Sequence, residues 1–199
     1  MEQIISKEEL REYMELKGQI RGAGIKEIIK YILEEEGKDG LGKLEDAMEK
    51  IGYSIKDKNI KAMKFYPLGL EASALVAVKR LFNYDDKKFQ EMGRFAGKFS
   101  IVIRLFMKHL VSIEKIVKEA PKMWRNYFTL GDFDIVEVSE KEKYIILRIK
   151  NYHLHPIHCQ TLIGYLSSIL QIVVKSFVTG EETKCTFQGD EYHEYLFKW

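Results

Sequence analysis

The sequence predicts an α+β fold in which a helical N-terminal layer packs on a four-stranded antiparallel sheet with one inserted helix. Apolar residues recur every three or four positions through residues 1–128, which is the period of amphipathic helices. Apolar and polar residues then alternate over much of residues 131–199, which is the period of strands. Because no stretch rich in Gly, Ser or Pro divides the chain, we expect residues 1–199 to form a single domain.

The composition fits a folded protein with no predicted nucleic-acid partner. Hydrophobic residues make up 46% of the chain and charged residues 31%, which is enough apolar material for a buried core. The 32 Lys and Arg residues nearly balance the 30 Asp and Glu residues. Two cysteines are too few for a secreted disulfide framework, and the acidic N-terminus is unlike a secretion signal. We find no uncharged apolar stretch of about 18 residues, and therefore expect a cytoplasmic protein without a membrane span.

The first helix is marked by Ser6 and Glu9, which have the spacing of a capping box, and we expect it to cover roughly residues 7–18. The glycine-rich run at 18–24 follows this helix and lacks the Gly-Lys-Ser/Thr ending of a phosphate-binding loop. We therefore interpret the run as a turn between helices.

The following helices are defined by their apolar periodicity and by the residues that end them. Gly37 and Gly52 close the second and third helices, as glycine often does. The helix over 68–82 is apolar around most of its surface, which indicates a central position in the core. A long helix follows over 89–110, and a last one is expected to kink or restart at Pro121.

The C-terminal part has the pattern of a sheet interrupted by one helix. Residues 133–138 and 144–149 predict an antiparallel hairpin, and a helix is expected after Pro156. Residues 173–178 and 195–199 are predicted to be the third and fourth strands.

Small residues recur at helical spacing in two of the predicted helices. Gly93 and Gly97 stand four apart, and so do Gly164 and Ser168. Small side chains let two helix backbones approach closely, either within the chain or across a homodimer. The sequence leaves both arrangements open.

Bulky aromatic residues that alternate with glycine leave gaps in a helical layer, which suggests an apolar ligand cavity. We expect it between the helices of residues 68–110 and the sheet. The predicted lining is Phe95, Phe99, Val102, Phe106 and Tyr165. Simple packing of these aromatics in the core is the alternative.

Four of the five histidines and both cysteines lie in the last 47 residues. His155 and Cys159 are four apart across a helix start, and Cys185 and His193 flank a predicted turn at 189–190. Two Cys and two His side chains suit tetrahedral zinc, although the spacing is not a common zinc signature. The alternative is a buried cysteine pair with surface histidines.

The same region carries several short motifs, namely His155-Pro156, Cys159, Gly164-Tyr165-Leu166, Cys185, Gly189-Asp190, His193-Glu194-Tyr195 and Trp199. In this order they resemble the 4-vinyl-reductase domain family. That family belongs to the superfamily of haem-nitric-oxide-binding (H-NOX) domains and TRAPP vesicle-tethering subunits, which share an α+β fold. The sequence departs from the family pattern at His193, where the family has a cysteine.

The resemblance implies a ligand-binding regulatory domain or a dimeric scaffolding module. H-NOX domains hold the haem propionates with a Tyr-x-Ser-x-Arg motif, and the corresponding residues 165–168 lack its arginine. His109 precedes the hairpin, as the haem ligand of H-NOX domains does, but a lone histidine beside apolar residues is more often a partly exposed helix residue.

The sequence shows no carboxylate pair, catalytic triad or nucleotide-binding loop, so we expect no enzyme. The preferred hypothesis is a sensor or regulatory domain for a small apolar ligand, acting through a homodimer surface or a separate protein effector. A dimeric scaffold like the TRAPP subunits is the alternative, and a zinc- or haem-binding sensor is a weaker one.

Overall fold

The computed structural model describes residues 4–99 and 112–199, which form six α-helices and two antiparallel sheets. Two short 3-10 turns lie at Asp57–Asn59 and Thr186–Gln188. The elements in chain order are α1 (Lys7–Met14), β1 (Gln19–Arg21), α2 (Gly22–Lys50), β2 (Phe65–Pro67), α3 (Leu68–Phe82), α4 (Asp86–Phe99), α5 (Ile113–Tyr127), β3 (Asp132–Ser139), β4 (Tyr144–Lys150), α6 (Pro156–Val174), β5 (Thr179–Lys184) and β6 (His193–Lys198).

The start of α1 is the predicted capping box. The Ser6 hydroxyl accepts a hydrogen bond from the Glu9 backbone N–H at 3.2 Å, and the Glu9 carboxylate accepts one from the Ser6 N–H at 2.9 Å. The glycine-rich run that follows is not merely a turn, because β1 pairs with β2 and α2 begins at Gly22. A Cβ at Gly22 would lie 2.5 Å from the Lys61 carbonyl oxygen, so glycine permits this close approach.

The second and third predicted helices form one kinked element. Gly37 breaks the helical backbone with φ 69° and ψ −170°, at the predicted end of the second helix. The helix resumes directly and ends at Lys50, before Gly52, whose φ is 90°. The next helix, α3, is buried at every residue from Leu68 to Val78, in the central position that its composition predicts.

The small residues of α4 and α6 pack against each other within the chain. A Cβ added at Gly93 would collide with the Thr161 carbonyl oxygen, and one added at Gly164 would collide with the Gln90 carbonyl oxygen. A Cβ at Gly97 would collide with the Ser168 hydroxyl in the same way. Of the two arrangements that the sequence left open, the structure has the intrachain one, in which the contact of α4 with α6 occupies these faces.

The four-stranded sheet has the order β3-β4-β6-β5, and all of its neighbours are antiparallel. The predicted hairpin is present as β3 and β4, with Phe133 opposite Ile149. The third strand lies later than predicted, since α6 continues to Val174 and ends with Lys175 in the left-handed conformation. Phe177, placed in that strand by the sequence pattern, is instead 67% exposed.

α6 is the core helix of the C-terminal part. Its 19 residues, Pro156–Val174, include no Asp, Glu, Lys or Arg, so our expectation that the sequence lacks such a stretch is wrong. The helix is long and apolar enough to cross a membrane by composition alone, as buried core helices also are. Here it packs against α4 and β5, and ten of its residues are buried.

α5 leads from the helical part into the hairpin. The Ser112 hydroxyl caps it by accepting a hydrogen bond from the Lys115 N–H. The helix continues through Pro121 to Tyr127 and does not restart there, so of the two expected effects of Pro121 the restart is absent. α5 packs along β3, and this arrangement places its apolar face opposite the sheet and α6.

Candidate ligand cleft and metal centre

An apolar cleft of about 680 Å³, partly open to solvent, lies between α5, the β3–β4 hairpin and α6. Every described residue that lines it is apolar or aromatic, and none is charged. Such a surface binds an apolar ligand because both partners are removed from water. The free energy gained is about 25 cal/mol per Å² of apolar area buried. The main lining residues are Ile116, Ala120, Met123, Trp124, Phe133, Ile135, Leu147, Tyr165, Leu166, Ile169 and Leu170.

Stacked aromatic rings make one wall of the cleft. Trp124 lies parallel to Phe128 and Phe133, with ring centroids 4.3 and 5.4 Å apart, and edge-on to Tyr152 at 5.2 Å. The Trp124 indole N–H donates to the Leu130 carbonyl at 3.0 Å, which satisfies its polar group. These contacts hold the aromatic wall in one orientation, and its rings together with the aliphatic side chains make the described lining apolar.

Of the three members of the predicted set that the structure describes, Tyr165 lines the cleft, whereas Phe95 and Phe99 do not. Phe95 and Phe99 stack on each other at 4.6 Å, and Phe95 packs edge-on against Tyr31 of α2 at 5.4 Å. They lie on a different face of α4 from the glycines that contact α6, so they face α2, and Phe99 is 45% exposed. Val102 and Phe106 lie outside the described residues.

A second group of functional side chains joins α6 to the β5–β6 strands. Cys159, Glu182, Cys185 and His193 each offer one ligand atom, and these atoms all lie within 4.8 Å of one another. Cys159 Sγ is 3.8 Å from His193 Nδ1, which is 2.8 Å from a Glu182 carboxylate oxygen. A tetrahedral zinc ion with bonds of 2.0–2.3 Å requires donor separations of about 3.3–3.8 Å, so small shifts bring all four atoms to zinc distance.

Neighbouring groups orient these side chains as they would around a metal. His193 Nε2 lies 3.1 Å from the Tyr152 carbonyl oxygen and 2.9 Å from the Thr186 hydroxyl. The carbonyl favours a proton on Nε2 and leaves the Nδ1 lone pair toward the cluster. The Asp190 carboxylate accepts from the Cys185 backbone N–H at 2.8 Å, and so fixes the turn that presents this thiol.

The cluster is buried, and burial acts on its thiols. Burial raises the pKa of the Cys159 thiol well above its usual range, and it raises the pKa of the Cys185 thiol as well. Protons therefore occupy both thiols when no cation is bound. Zinc would replace them, since two thiolates, one imidazole and one carboxylate are a donor set that it binds in proteins.

His155 is not part of this cluster, which corrects the predicted ligand set. His155 is the N-cap of α6 with an extended backbone, φ −167° and ψ 145°, and its Nδ1 accepts from the Ile157 N–H at 3.1 Å. Its ring packs edge-on against Tyr13 at 5.8 Å. Glu182 takes the fourth place, and the sequence analysis missed it. Glu182 lies three positions before Cys185 in β5, a strand that the sequence pattern placed earlier, at residues 173–178.

The comparisons with known proteins establish the fold. No protein-family model matches the chain and no curated protein matches it, so the resemblance to the 4-vinyl-reductase family stays a prediction. An H-NOX protein from S. oneidensis in the Fe(II)NO ligation state is similar over 90% of this chain and 98% of its own, with 14% identity and a TM-score of 0.67. A doubly substituted Tt H-NOX is similar over 90% of this chain and 95% of its own, with 13% identity and a TM-score of 0.61. The α+β fold of H-NOX domains is thus confirmed for this chain.

The described residues do not fit a haem in the cleft. α5, the helix that leads into the hairpin, contains no histidine, and His109 lies outside the described residues. Within the described part of the chain, no Lys or Arg lines the cleft to pair with haem carboxylates, and no His or Cys lines it to bind iron. We therefore do not assign a haem to this cleft.

Proposed function

We propose that the protein is a non-enzymatic sensor or regulatory domain that binds a small apolar, preferably aromatic, ligand in the cleft between α5, the hairpin and α6. The observation that carries this proposal is the cleft itself, with its stacked aromatic wall and no charged residue in its described lining. The shared fold with H-NOX proteins supports it.

A ligand in this position would act by shifting the population of helix arrangements. The cleft is bounded by two helices and a hairpin, so a ligand that fills it favours the spacing of α5 and α6 that fits it best. The changed surface would be recognised by a separate protein effector or by a second copy of the chain. A second copy would need a surface other than the small-residue faces, which pack inside the protein.

We also propose that Cys159, Glu182, Cys185 and His193 hold a structural zinc ion. Four protein ligands close the tetrahedral coordination, and bound zinc would supply a cross-link between α6 and the β5–β6 strands rather than a catalytic position. Two thiols kept free for a metal fit a reducing compartment, which supports the predicted cytoplasmic location.

Toluene is a suitable probe for the cleft. At a concentration 100 times its Kd, a ligand of the native state adds about 2.7 kcal/mol of stability, which raises the Tm by about 5–10 °C in a protein of this size. Ala120→Phe fills the cleft from α5 and should abolish this shift. Lys118→Phe adds the same bulk on the exposed face of α5 and should retain it. Equal shifts in both variants would refute the assignment of the cleft.

Zinc binding is tested by metal analysis of the purified protein and its variants. Glu182→Ala should lose most of the zinc and lower the Tm, whereas His155→Ala should retain one zinc per chain, because His155 lies outside the cluster. Zinc-free wild-type protein, or a loss of zinc only in His155→Ala, would contradict the assignment.

A further inference from the structure

A second cavity lies among α2, α3, α4, α5 and α6, on the other side of Tyr127 and Tyr165 from the cleft. The cavity is partly open to solvent, and with the solvent at its opening it has a volume of about 460 Å³. Most of its described lining is apolar. Unlike the cleft, it also contains buried acidic groups, Glu27 of α2 and Glu71 of α3, which are 7% and 6% exposed. A cavity with apolar walls and a few convergent polar groups is the usual form of a small-molecule site.

The Glu71 carboxylate lacks a partner inside this cavity. Its Oε2 is buried and makes no hydrogen bond, and Oε1 lies 3.9 Å from His158 Nε2, beyond hydrogen-bond distance. In the described ranges 4–99 and 112–199, no Lys or Arg forms an ion pair with Glu71. A buried carboxylate without a partner is costly, so an occupant that donates to it would gain a strong interaction.

The space beside Glu71 is kept open by Gly24. A Cβ at Gly24 would lie 3.4 Å from Glu71 Oε1 and 3.2 Å from the Tyr127 hydroxyl. The Tyr127 hydroxyl donates to a Glu27 carboxylate oxygen at 2.6 Å, which places a second acidic group on the same cavity. The polar end of the cavity therefore presents carboxylate oxygens.

We propose that this cavity binds a small organic cation, a protonated primary amine on an apolar body, with its ammonium group against Glu71. The ammonium group supplies the hydrogen-bond donors and the positive counter-charge that the Glu71 carboxylate lacks. The apolar body fits against Ile28, Leu75, Met92 and Leu162, which line the rest of the cavity. A bare metal ion fits less well, because beyond the oxygen atoms of the polar end most of the described lining is apolar and would be left without a partner.

The charges around Glu71 give the binding a measurable signature. Among the described residues, the titratable groups around it are Glu27 on α2, Tyr127 on α5, His158 and Tyr165 on α6, and the buried Tyr152, whose hydroxyl lies 3.3 Å from His158 Nδ1. The described α4 residues that line the cavity are apolar. Burial and the neighbouring Glu27 raise the pKa of Glu71 to about 8. At pH 7 the free protein therefore carries a proton on Glu71, and an ammonium ligand that pairs with the carboxylate releases this proton to the buffer.

The test compares benzylamine with benzyl alcohol, which has a similar size and no charge, by titration calorimetry at pH 7. We expect benzylamine to bind at least tenfold more tightly and to release close to one proton, seen as different heats in phosphate and Tris buffers. Glu71→Gln should remove both the preference and the proton release. Glu34→Gln, the same change at an exposed position of α2, should retain both.

Equal affinities for the amine and the alcohol in wild-type protein would overturn the proposal, and so would a preference that survives in Glu71→Gln. Ala120→Phe separates this site from the cleft, since it should abolish the toluene response and leave benzylamine binding unchanged. Benzylamine binding that is lost in Ala120→Phe and kept in Glu71→Gln would place the amine in the cleft and overturn the second site.

Discussion

The substitution Glu71→Gln should change how the stability of the protein depends on pH. The folded protein raises the pKa of this carboxyl from its ordinary value of 4.5 to about 8, mainly through burial and secondly through Glu27. Since the folded state holds the proton more tightly than the unfolded state, stability falls as the pH rises from 4.5 to about 8. Glutamine resembles the protonated acid and does not titrate, so the variant lacks this loss.

The window between pH 6.5 and pH 8 isolates the effect. Burial lowers the pKa values of His158 to about 3 and His155 to about 4, so these residues make stability rise with pH only up to their ordinary value of 6.5. Above pH 6.5 the Glu71 contribution continues over about 1.5 pH units, which at about 1.4 kcal/mol per unit amounts to about 2 kcal/mol. In a protein of this size that corresponds to a Tm decrease of about 4–8 °C.

Thermal unfolding of both proteins at pH 6.5 and pH 8 measures this difference. Between pH 6.5 and pH 8 the Tm of the wild-type protein should fall by about 4–8 °C more than the Tm of Glu71→Gln. Contributions common to both proteins, such as metal binding, cancel in this comparison. Glu34→Gln should behave like the wild type, because Glu34 is exposed. If Glu71→Gln shows the same decrease as the wild type, Glu71 does not carry a proton in the folded state and the argument fails.

Two further predictions test the helix packing. Gly164→Leu should lower the free energy of unfolding by at least about 3 kcal/mol in denaturant unfolding, because its side chain would meet the Gln90 backbone. Gly42→Leu is the control. It has open space around its Cβ and should change stability by less than about 1 kcal/mol. Phe99→Ala, at a half-exposed position away from the cleft, should leave toluene affinity unchanged and cost less than about 1 kcal/mol; a marked loss of toluene affinity would place Phe99 in the ligand site after all.

Local patterns predicted the elements whose signals are contained in a few residues. The capping box at Ser6, the hairpin of β3 and β4 and the start of α6 at Pro156 depend on contacts between near neighbours. The end of α6 does not depend on contacts between near neighbours. Val173 and Val174 have strand propensity, but they pack against the core as the last turn of a helix, so tertiary contacts override their local preference.

The cluster of Cys159, Glu182, Cys185 and His193 shows where spacing arguments fail. Residues four apart share a face only inside a helix, and His155 stands one position before α6 with an extended backbone, so its side chain points away from Cys159. Glu182 could not be selected from the sequence because an acidic residue near a strand end is usually solvated. Only the pairing of β5 with β6 shows that it lies opposite Tyr195, on the buried face of the sheet.

The predicted positions of Phe95 and Phe99 differ from the observed ones for a related reason. The periodicity of α4 identifies its apolar faces but not the element that covers each face. The face of α4 that carries Gly93 and Gly97 accommodates the backbone of α6. Its aromatic face packs on Tyr31 of α2 through Phe95. The residues that do line the cleft lie mostly on α5, the hairpin and α6. Their convergence depends on long-range contacts between elements that the sequence predicts separately.

The position of α6 links the three sites. Cys159 in its first turn belongs to the proposed metal site, His158 beside it borders the cavity of Glu71, and Tyr165 lines both that cavity and the cleft. α6 is also held closely against α4 by glycines on both helices. A ligand that favoured one position of α6 would change the affinity of the other proposed sites to the extent that they depend on the same position. Because such coupling is reciprocal, a metal that fixed the start of α6 would also bias which ligands the cleft accepts.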